Sequence, residues 1–427
     1  MKKPELLSPA GNIEKLKLAL HYGADAVYGG VSHFSLRIRS GKEFTYESFS
    51  EAIKYTHNFG KKIYVTINGF PFNNQIPLLE KHILQMAEMK PDAFIMATPG
   101  VVRLSKDLAP EIPIHLSTQA NVLNYLDAEV YWDMGVSRIV AAREISLKDL
   151  EGIKKRLPKL ELEAFVHGSM CFAYSGRCLI SAVQSGRVPN RGSCANDCRF
   201  PYTLYAHNEE NQTMFRLEED EAGTHVMNAK DLNLSAHVKD IIDSGVVDAL
   251  KIEGRTKSPY YVATTARTYR KAIDDALSGN FTPKFYQDEL NTTKSRGFTE
   301  GYLVQRPFVR HDTQNHDNRD MEGTWQVHGL IDESGEFFHA KDQVWPGIWY
   351  EIMYPPNASN ILSCVNAIGE IRTDKDGVWV CFKTIQTKSG KILDSVHSGN
   401  TNEVCLPCKL PPFSFLRKPI LELEKKG

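Results

Sequence analysis

The chain has 427 residues, which at roughly 100–200 residues per domain suggests two or three domains and ample sequence for a core. Hydrophobic residues make up 42% and charged residues 24%, a balance that excludes a disordered, fibrous or membrane-spanning chain. Lys+Arg 51 against Asp+Glu 52 leaves a net charge of −1, so whole-chain electrostatics give no sign of a nucleic-acid binder and leave only a local basic patch open.

No leader-like apolar stretch follows Lys2 and Lys3, and no run of about 18 apolar residues occurs. A cytoplasmic protein with no membrane contact is expected. Glu5–Ser8 reads as a strand, and Pro9–Asn12 turns it into an amphipathic helix over Ile13–Tyr22. Strands follow at Ala26–Tyr28, Lys62–Ile67, Ala93–Met96, Ile114–Leu116, Arg138–Val140, Leu162–Val166 and Ala249–Ile252. Helical patterns fall at Ile76–Met89, Leu126–Met134, Leu147–Leu157, Leu232–Ser244 and Tyr260–Ser278. Three helices close on a glycine just before an apolar strand, at Gly23, Gly135 and Gly245; glycine is the favoured residue just past a helix end. Repeated strand–helix units imply a parallel sheet. About eight strands in some 270 residues predict a closed (β/α)8 TIM-like barrel, and no G-x-G-x-x-G opens a helix to favour an open dinucleotide-binding sheet.

Two regions break this cadence. A Cys-, Gly-, Arg- and Asn-rich insertion spans 169–222 and ends in the acidic run Glu218–Glu221. From about residue 325 the pattern changes to short alternating runs separated by turn signals, which predicts a small all-β domain. The expected division is a barrel with its insertion over 1–320 and a C-terminal β domain over 321–427, with polar His311–Asp320 as the linker.

Four of the eight cysteines, Cys171, Cys178, Cys194 and Cys198, fall within 28 residues with the spacing C-x6-C-x15-C-x3-C. Four thiolates near one point suit a four-iron four-sulfur cluster or tetrahedral zinc. Zinc is the weaker alternative, because its sites usually pair cysteines two to four residues apart. The insertion follows a strand at its C-terminal end, the face where barrel enzymes place their active sites. Of the remaining cysteines, Cys405-Leu-Pro-Cys408 has the spacing of a redox pair without its βαβ setting, so a structural or incidental role is expected.

Glu163-Ala-Phe-Val-His-Gly-Ser-Met-Cys171, followed by Phe-Ala-Tyr-Ser-Gly-Arg-Cys178-Leu-Ile-Ser181, resembles the signature of the collagenase-like peptidase family U32. Glu5–Gly11, Ser117–Asn121, Ala142–Glu144 and Leu250–Arg255 are similar to other family segments, so the resemblance spans nearly the whole chain. It implies either proteolysis or oxygen-independent hydroxylation with a cluster on four cysteines. Length and the single C-terminal domain make the chain most similar to the members that hydroxylate the wobble uridine of tRNA with prephenate as hydroxyl source. Some members take the fourth ligand from a cysteine near a KDL segment; here Lys230-Asp231-Leu232-Asn233 has none, which leaves Cys198. A peptidase, or a non-catalytic RNA-binding subunit beside a paralogue, are the competing readings, and a homo-oligomer is compatible with each. No H-E-x-x-H, G-x-S-x-G or Cys–His protease signature supports the first.

Prephenate is a dicarboxylate, so guanidinium and ammonium groups should line its site. Arg143, Lys251 and Arg255 sit at strand ends and Arg177 in the cysteine loop. Asn68, Ser117, Gln119 and Asn121 lie at two further strand ends and suit substrate hydrogen bonds. His167, Arg143 and Glu144 are the expected catalytic groups, His167 as a proton carrier. Between Lys251 and Arg310, eleven Lys/Arg face six Asp/Glu with tyrosines and phenylalanines interleaved, the composition of a patch for phosphate contact and base stacking on tRNA.

Overall fold

The computed structural model describes residues 2–31, 34–35, 44–171, 173–178, 180–185, 187, 194–199, 204–210, 212–217, 229–304, 323–358, 361–375, 377–399 and 401–420. The acidic run 218–221 and the expected linker 311–320 lie outside them. Strands β1 (Glu5–Pro9), β2 (Ala26–Gly29), β3 (Lys62–Ile67), β4 (Ala93–Met96), β5 (Ile114–Leu116), β6 (Val136–Val140) and β7 (Glu161–Ser169) pair in sequence order, each parallel to the next. A hairpin of β8 (Leu204–Asn208) and β9 (Thr213–Leu217) and a short β10 (Asp231–Asn233) precede β11 (Ala249–Ile252), and β12 (Phe298–Thr299) pairs in parallel with β10. β11 pairs in parallel with both β7 and β1 and closes an eight-stranded barrel. Helices α1 (Ile13–His21), α2 (Tyr46–Asn58), α3 (Ile76–Glu88), α4 (Pro99–Leu108), α5 (Tyr125–Asp133) and α6 (Leu147–Arg156) alternate with the first seven strands. α7 (Ile180–Ser185) belongs to the insertion, and α8 (Val238–Ser244), α9 (Pro259–Ser278) and α10 (Pro283–Leu290) complete the set.

All eight expected barrel strands are present. Gly23, Gly135 and Gly245 all have positive φ, the conformation that ends a helix in a tight turn and that side chains resist. α2 and α4 were not among the expected helices. α2 was legible: Phe49, Ala52, Ile53 and Thr56 recur at helical spacing and are its buried residues, behind a Thr45–Ser48 capping box. The expected helix at Leu232–Ser244 begins only at Val238. Leu232 instead pairs with Gly168 in an antiparallel bridge between β10 and β7, and Asp231 bonds the Arg296 guanidinium. That tertiary pairing overrides the local helical pattern.

The main core lies between barrel wall and helices, from Leu6, Val27 and Val65 on the strands to Leu16, Phe49, Ile83 and Tyr269 on the helices. Strand residues facing inward alternate with these. The second sheet is antiparallel, formed by β13 (Trp325–Ile331), β14 (Phe337–Ala340), β15 (Trp349–Met353), β16 (Cys364–Val365), β17 (Gly369–Asp374), β18 (Gly377–Phe382), β21 (Val404–Cys405) and β22 (Phe415–Pro419), with β19 (Ile385–Gln386) and β20 (Ile392–Leu393) as a separate pair. It has its own core around Phe338, Val380 and Phe382. One end of its other face packs Leu330, Met353 and Phe415 onto Leu18, Tyr22, Tyr260 and Ala263 of α1 and α9. Tyr22 Oη donates to the Met353 and Phe413 carbonyls, and Arg417 spans Tyr260, Glu289 and Glu351. Cys408 is disulfide-bonded to Cys364, 44 residues away, and Cys405 is a free thiol.

Candidate active site

The barrel interior carries charge on two levels. At the floor, Arg138 reaches Glu5 at 2.6 Å, Glu161 at 2.7 Å and Glu163 at 3.2 Å, and Tyr64 Oη donates to Glu5. Lys251, expected at the mouth, lies in this interior layer instead. Its ammonium is 2.7 Å from Glu163, 4.5 Å from the Tyr28 ring centroid, and buried. The geometry of β11 explains this: Lys251 pairs with Phe165, well below the strand end where Glu253 and Arg255 emerge.

The mouth is formed by residues at and just past the strand ends. Asn68 Nδ2 donates to Gln119 Oε1 at 3.1 Å, and Ser117 Oγ donates to the same oxygen at 3.1 Å. Of the four residues expected to line these strand ends, Asn68, Ser117 and Gln119 come together, whereas Asn121 reaches the cysteine loop. Among the described residues Gln119 Nε2 is buried and has no partner, a donor left over once its oxygen is saturated; such groups carry a desolvation cost until something accepts from them. Arg255 donates to Ser35 Oγ at 2.6 Å and Thr66 Oγ1 at 2.9 Å. Arg143 lies over the Phe165 ring, 4.0 Å from its centroid, and 3.4 Å from Glu253. Sequence reading missed Glu253 as a site residue, although its alternation with Lys251 places it on the inward face.

The cysteine loop is clamped onto this mouth by residues expected to bind substrate or to catalyse. Ser175 N and Oγ donate to the Glu144 carboxylate, and Arg143 N donates to Ser175 Oγ. Arg177 Nε donates to the Gln119 carbonyl at 2.9 Å, and Asn121 Nδ2 contacts the Tyr174 carbonyl at 3.5 Å. Ser175 has φ 40, a left-handed backbone that a non-glycine residue adopts at a cost, and the Glu144 bonds hold it there. Glu144, Arg177 and Asn121 are therefore loop anchors in this structure.

All four loop thiols are free, Cys171 exposed and Cys178, Cys194 and Cys198 half-buried. Cys178 Sγ accepts from Ile180 N–H at 3.4 Å and Cys194 Sγ from Asn196 N–H at 3.4 Å. Burial pushes the Cys178 thiol up; the Ile180 N–H opposes this, and the Cys171 and Cys194 sulfurs add to it. The two halves of the loop are knit by Ala195 N donating to Ser181 Oγ and Ser185 Oγ donating to Asp197. Among the described residues no three His, Cys, Asp or Glu side chains stand where one metal ion could be held.

His167 is placed differently from expectation. Simple alternation with Glu163 and Phe165 would turn it into the barrel. A register shift instead pairs Ile252 with His167, while Lys251 pairs with Phe165. The Val166 carbonyl accepts from Leu234 N and Tyr269 Oη. The His167 ring therefore lies against Tyr261, Tyr269 and Phe298, in the helix layer outside the barrel wall, 1% exposed. Burial lowers its pKa to about 3, so the imidazole is neutral at ordinary pH, and it stands in the helix layer rather than at the mouth where a proton carrier was expected. His115, inside the barrel against Tyr64, is likewise held neutral by burial, with Arg138 and Lys251 adding to the effect.

The expected basic patch also resolves differently. Lys251, Arg270 and Arg296 are buried in ion pairs with Glu163, Asp25 and Asp231, and Lys271 and Lys284 pair with acids one helical turn away. Tyr260, Tyr261, Tyr269 and Tyr286 are core residues. Arg306 and Arg310 lie outside the described residues. Among the described part, this segment is a packed, charge-matched helix pair rather than a stacking surface.

A model for peptidase family U32 matches residues 11–313. The chain is 60% identical over 421 residues to tRNA hydroxylation protein P of Helicobacter pylori, covering 98% of this chain and 100% of that relative. It is 40% identical over 355 residues to tRNA hydroxylation protein P of Escherichia coli, covering 74% and 78%. A collagenase of Porphyromonas gingivalis is 30% identical over 313 residues, covering 70% and 73%. Among the described residues no helix is long and apolar enough to cross a membrane.

Proposed function

The chain belongs to peptidase family U32, and from that premise we propose that it is a tRNA-modifying hydroxylase, acting on the wobble uridine with prephenate as hydroxyl source and a four-iron four-sulfur cluster on Cys171, Cys178, Cys194 and Cys198. The observation that carries this reading is the full-length 60% identity to a relative named for tRNA hydroxylation, on a chain whose four free thiols are clamped over a barrel mouth.

The residues fit such a cluster. The Cys171 and Cys194 sulfurs stand close enough to Cys178 to help raise its thiol pKa, and backbone N–H groups point at two of the sulfurs, the kind of hydrogen bond that tunes iron–sulfur centres. The cluster, when bound, would supply electron transfer or Lewis acidity beside the mouth. The chain's own groups have separate tasks. Arg143 and Arg255 offer guanidinium groups to the two carboxylates, with Arg143 exchanging Glu253 for the ligand. Gln119 Nε2 offers its unused donor to a substrate oxygen. Glu144, Asn121 and Arg177 keep the loop closed over the reacting centre and restrict water.

The peptidase reading needs a base beside Cys171. His167, the nearest histidine in sequence, is turned away into the helix layer. The deciding experiment is nucleoside analysis of tRNA from a deletion strain, with iron and sulfide analysis of anaerobically purified protein. Loss of the hydroxylated wobble uridine and about four irons per chain are expected. Unchanged tRNA, together with peptide cleavage that depends on Cys171, would replace this reading with proteolysis.

A further inference from the structure

With Lys251, Arg270 and Arg296 of the basic stretch spent in buried ion pairs, an RNA substrate's phosphates need other cations. The barrel rim has one cavity suited to this. It measures about 360 Å³ and lies where the turn after β1, the residue after β2 and the loop after β11 meet the C-terminal sheet. Gly11, Lys15, Gly30, Arg255, Lys257 and Lys341 line it, with Glu14 as the lining carboxylate. Four cations thus face one acid. They come from three separate parts of the chain, one of them the C-terminal sheet.

Two of these lysines, Lys257 and Lys341, make only long ion pairs among the described residues. Lys15 Nζ donates to the neutral Arg255 carbonyl at 3.1 Å. Lys341 stands 3.8 Å from Glu14 and Lys257 3.6 Å from Asp231, longer than a charge-assisted bond of about 2.7–2.9 Å. The floor is closely packed: a side chain at Gly11 would meet the Arg255 carbonyl at 2.3 Å, and one at Gly30 would meet Thr66 Oγ1 at 2.4 Å. Both α1 and α9 begin at this cavity, which adds their positive ends to the lysines. In barrel enzymes generally, phosphate groups sit at the loops after the last strands. β11 lies between β7, which leads to Cys171, and β1, so the cavity and the cysteine loop share one face, with neighbouring strands about 4.8 Å apart.

We propose that this cavity holds a backbone phosphate of the RNA substrate close to the nucleotide being modified, with Lys15, Lys257 and Lys341 as its cations. This rests on the RNA-modifying reading above. It gives the C-terminal sheet a role in substrate binding, because Lys341 reaches the cavity only through the packing of that sheet on α1 and α9.

The test is tRNA binding by the full-length protein at several salt concentrations, using Lys15→Gln, Lys341→Gln and their double variant. Lys284→Gln, on the exposed face of α10, is the control. Each cavity substitution should weaken binding about tenfold or less and lower the slope of log K against log salt by up to about 1; the control should match wild type, and thermal unfolding should be unchanged in all. Cavity variants that bind tRNA with wild-type affinity and slope overturn the proposal. They do so also if the same variants abolish thermal stabilisation by inorganic phosphate, which would assign the cavity to a small phosphorylated molecule. Wild-type protein that binds no tRNA would instead sink the RNA-modifying reading itself.

Discussion

The floor and the mouth of the barrel are both lined with charged and polar groups, and they use them in different ways. On the floor Arg138 meets three carboxylates and Lys251 meets Glu163 at 2.7 Å. At the mouth Gln119 Nε2 and Asn121 Oδ1 are buried without partners among the described residues, and Arg143 stands 3.4 Å from Glu253. The floor's charges are matched without a ligand, although His115 Nδ1 there has no partner among the described residues; at the mouth uncharged amide groups are left over. Buried charge that is matched on all sides belongs to the architecture, whereas buried donors left over after internal bonding mark a place that awaits a ligand.

Four measurements can break or sharpen that contrast. The largest effect is expected above the mouth. Cys178→Ser should lose iron and reduce tRNA hydroxylation to background while unfolding stays cooperative, read by iron analysis and nucleoside mass spectrometry. Wild-type iron content in this variant would move the ligand set away from Cys178.

On the floor, Arg138→Met should leave hydroxylation measurable at low temperature and lower stability by about 3–5 kcal/mol, because it strands buried carboxylates. Urea unfolding measures this; a loss below about 1 kcal/mol would mean that the floor network is not held as described. The wall between the two regions supplies a pH test. His167 has a folded pKa of about 3, below its unfolded value. The unfolded chain therefore binds the extra proton between about pH 6.5 and pH 3. Stability from this group is complete above about pH 6.5 and falls as pH drops through that window, by about 2–3 kcal/mol at pH 4.5. Urea midpoints at pH 7 and 4.5 should converge in His167→Gln; an unchanged acid slope would place the proton uptake on other groups.

The smallest stability effect belongs at the mouth. Gln119→Ala removes an unsatisfied donor but also the oxygen that accepts from Asn68 and Ser117, so it should lower stability by about 1–3 kcal/mol. It should still slow hydroxylation about tenfold if that donor serves the substrate, since a lost contact of about 1.4 kcal/mol has that effect. Unfolding and single-turnover assays on the same preparation separate the two; a large stability loss with unchanged activity would reverse the assignment of floor and mouth.

Several features were already legible in the amino-acid sequence. The eight barrel strands are short apolar runs at regular spacing, the helix-ending glycines are local conformational demands, and the four loop cysteines stand out by their spacing. These signals are local and survive without knowledge of neighbours. The side-chain assignments at the site are different. Lys251 and His167 both lie near strand ends in sequence, yet one points into the barrel beneath the mouth and the other into the helix layer. A single register shift between β7 and β11 separates them. Likewise the Lys/Arg count from 251 to 310 could not reveal that Glu163, Asp25 and Asp231, from distant segments, neutralise its buried members. Nor could the spacing Cys405–Cys408 reveal that Cys408 bonds Cys364. The sequence by itself determined the architecture and the thiol loop, because periodicity, turns and spacing are properties of neighbours along the chain. Tertiary structure alone decided which charges are spent and which remain for a ligand, because an ion pair, a register shift and a cavity each depend on partners that only the folded chain brings together.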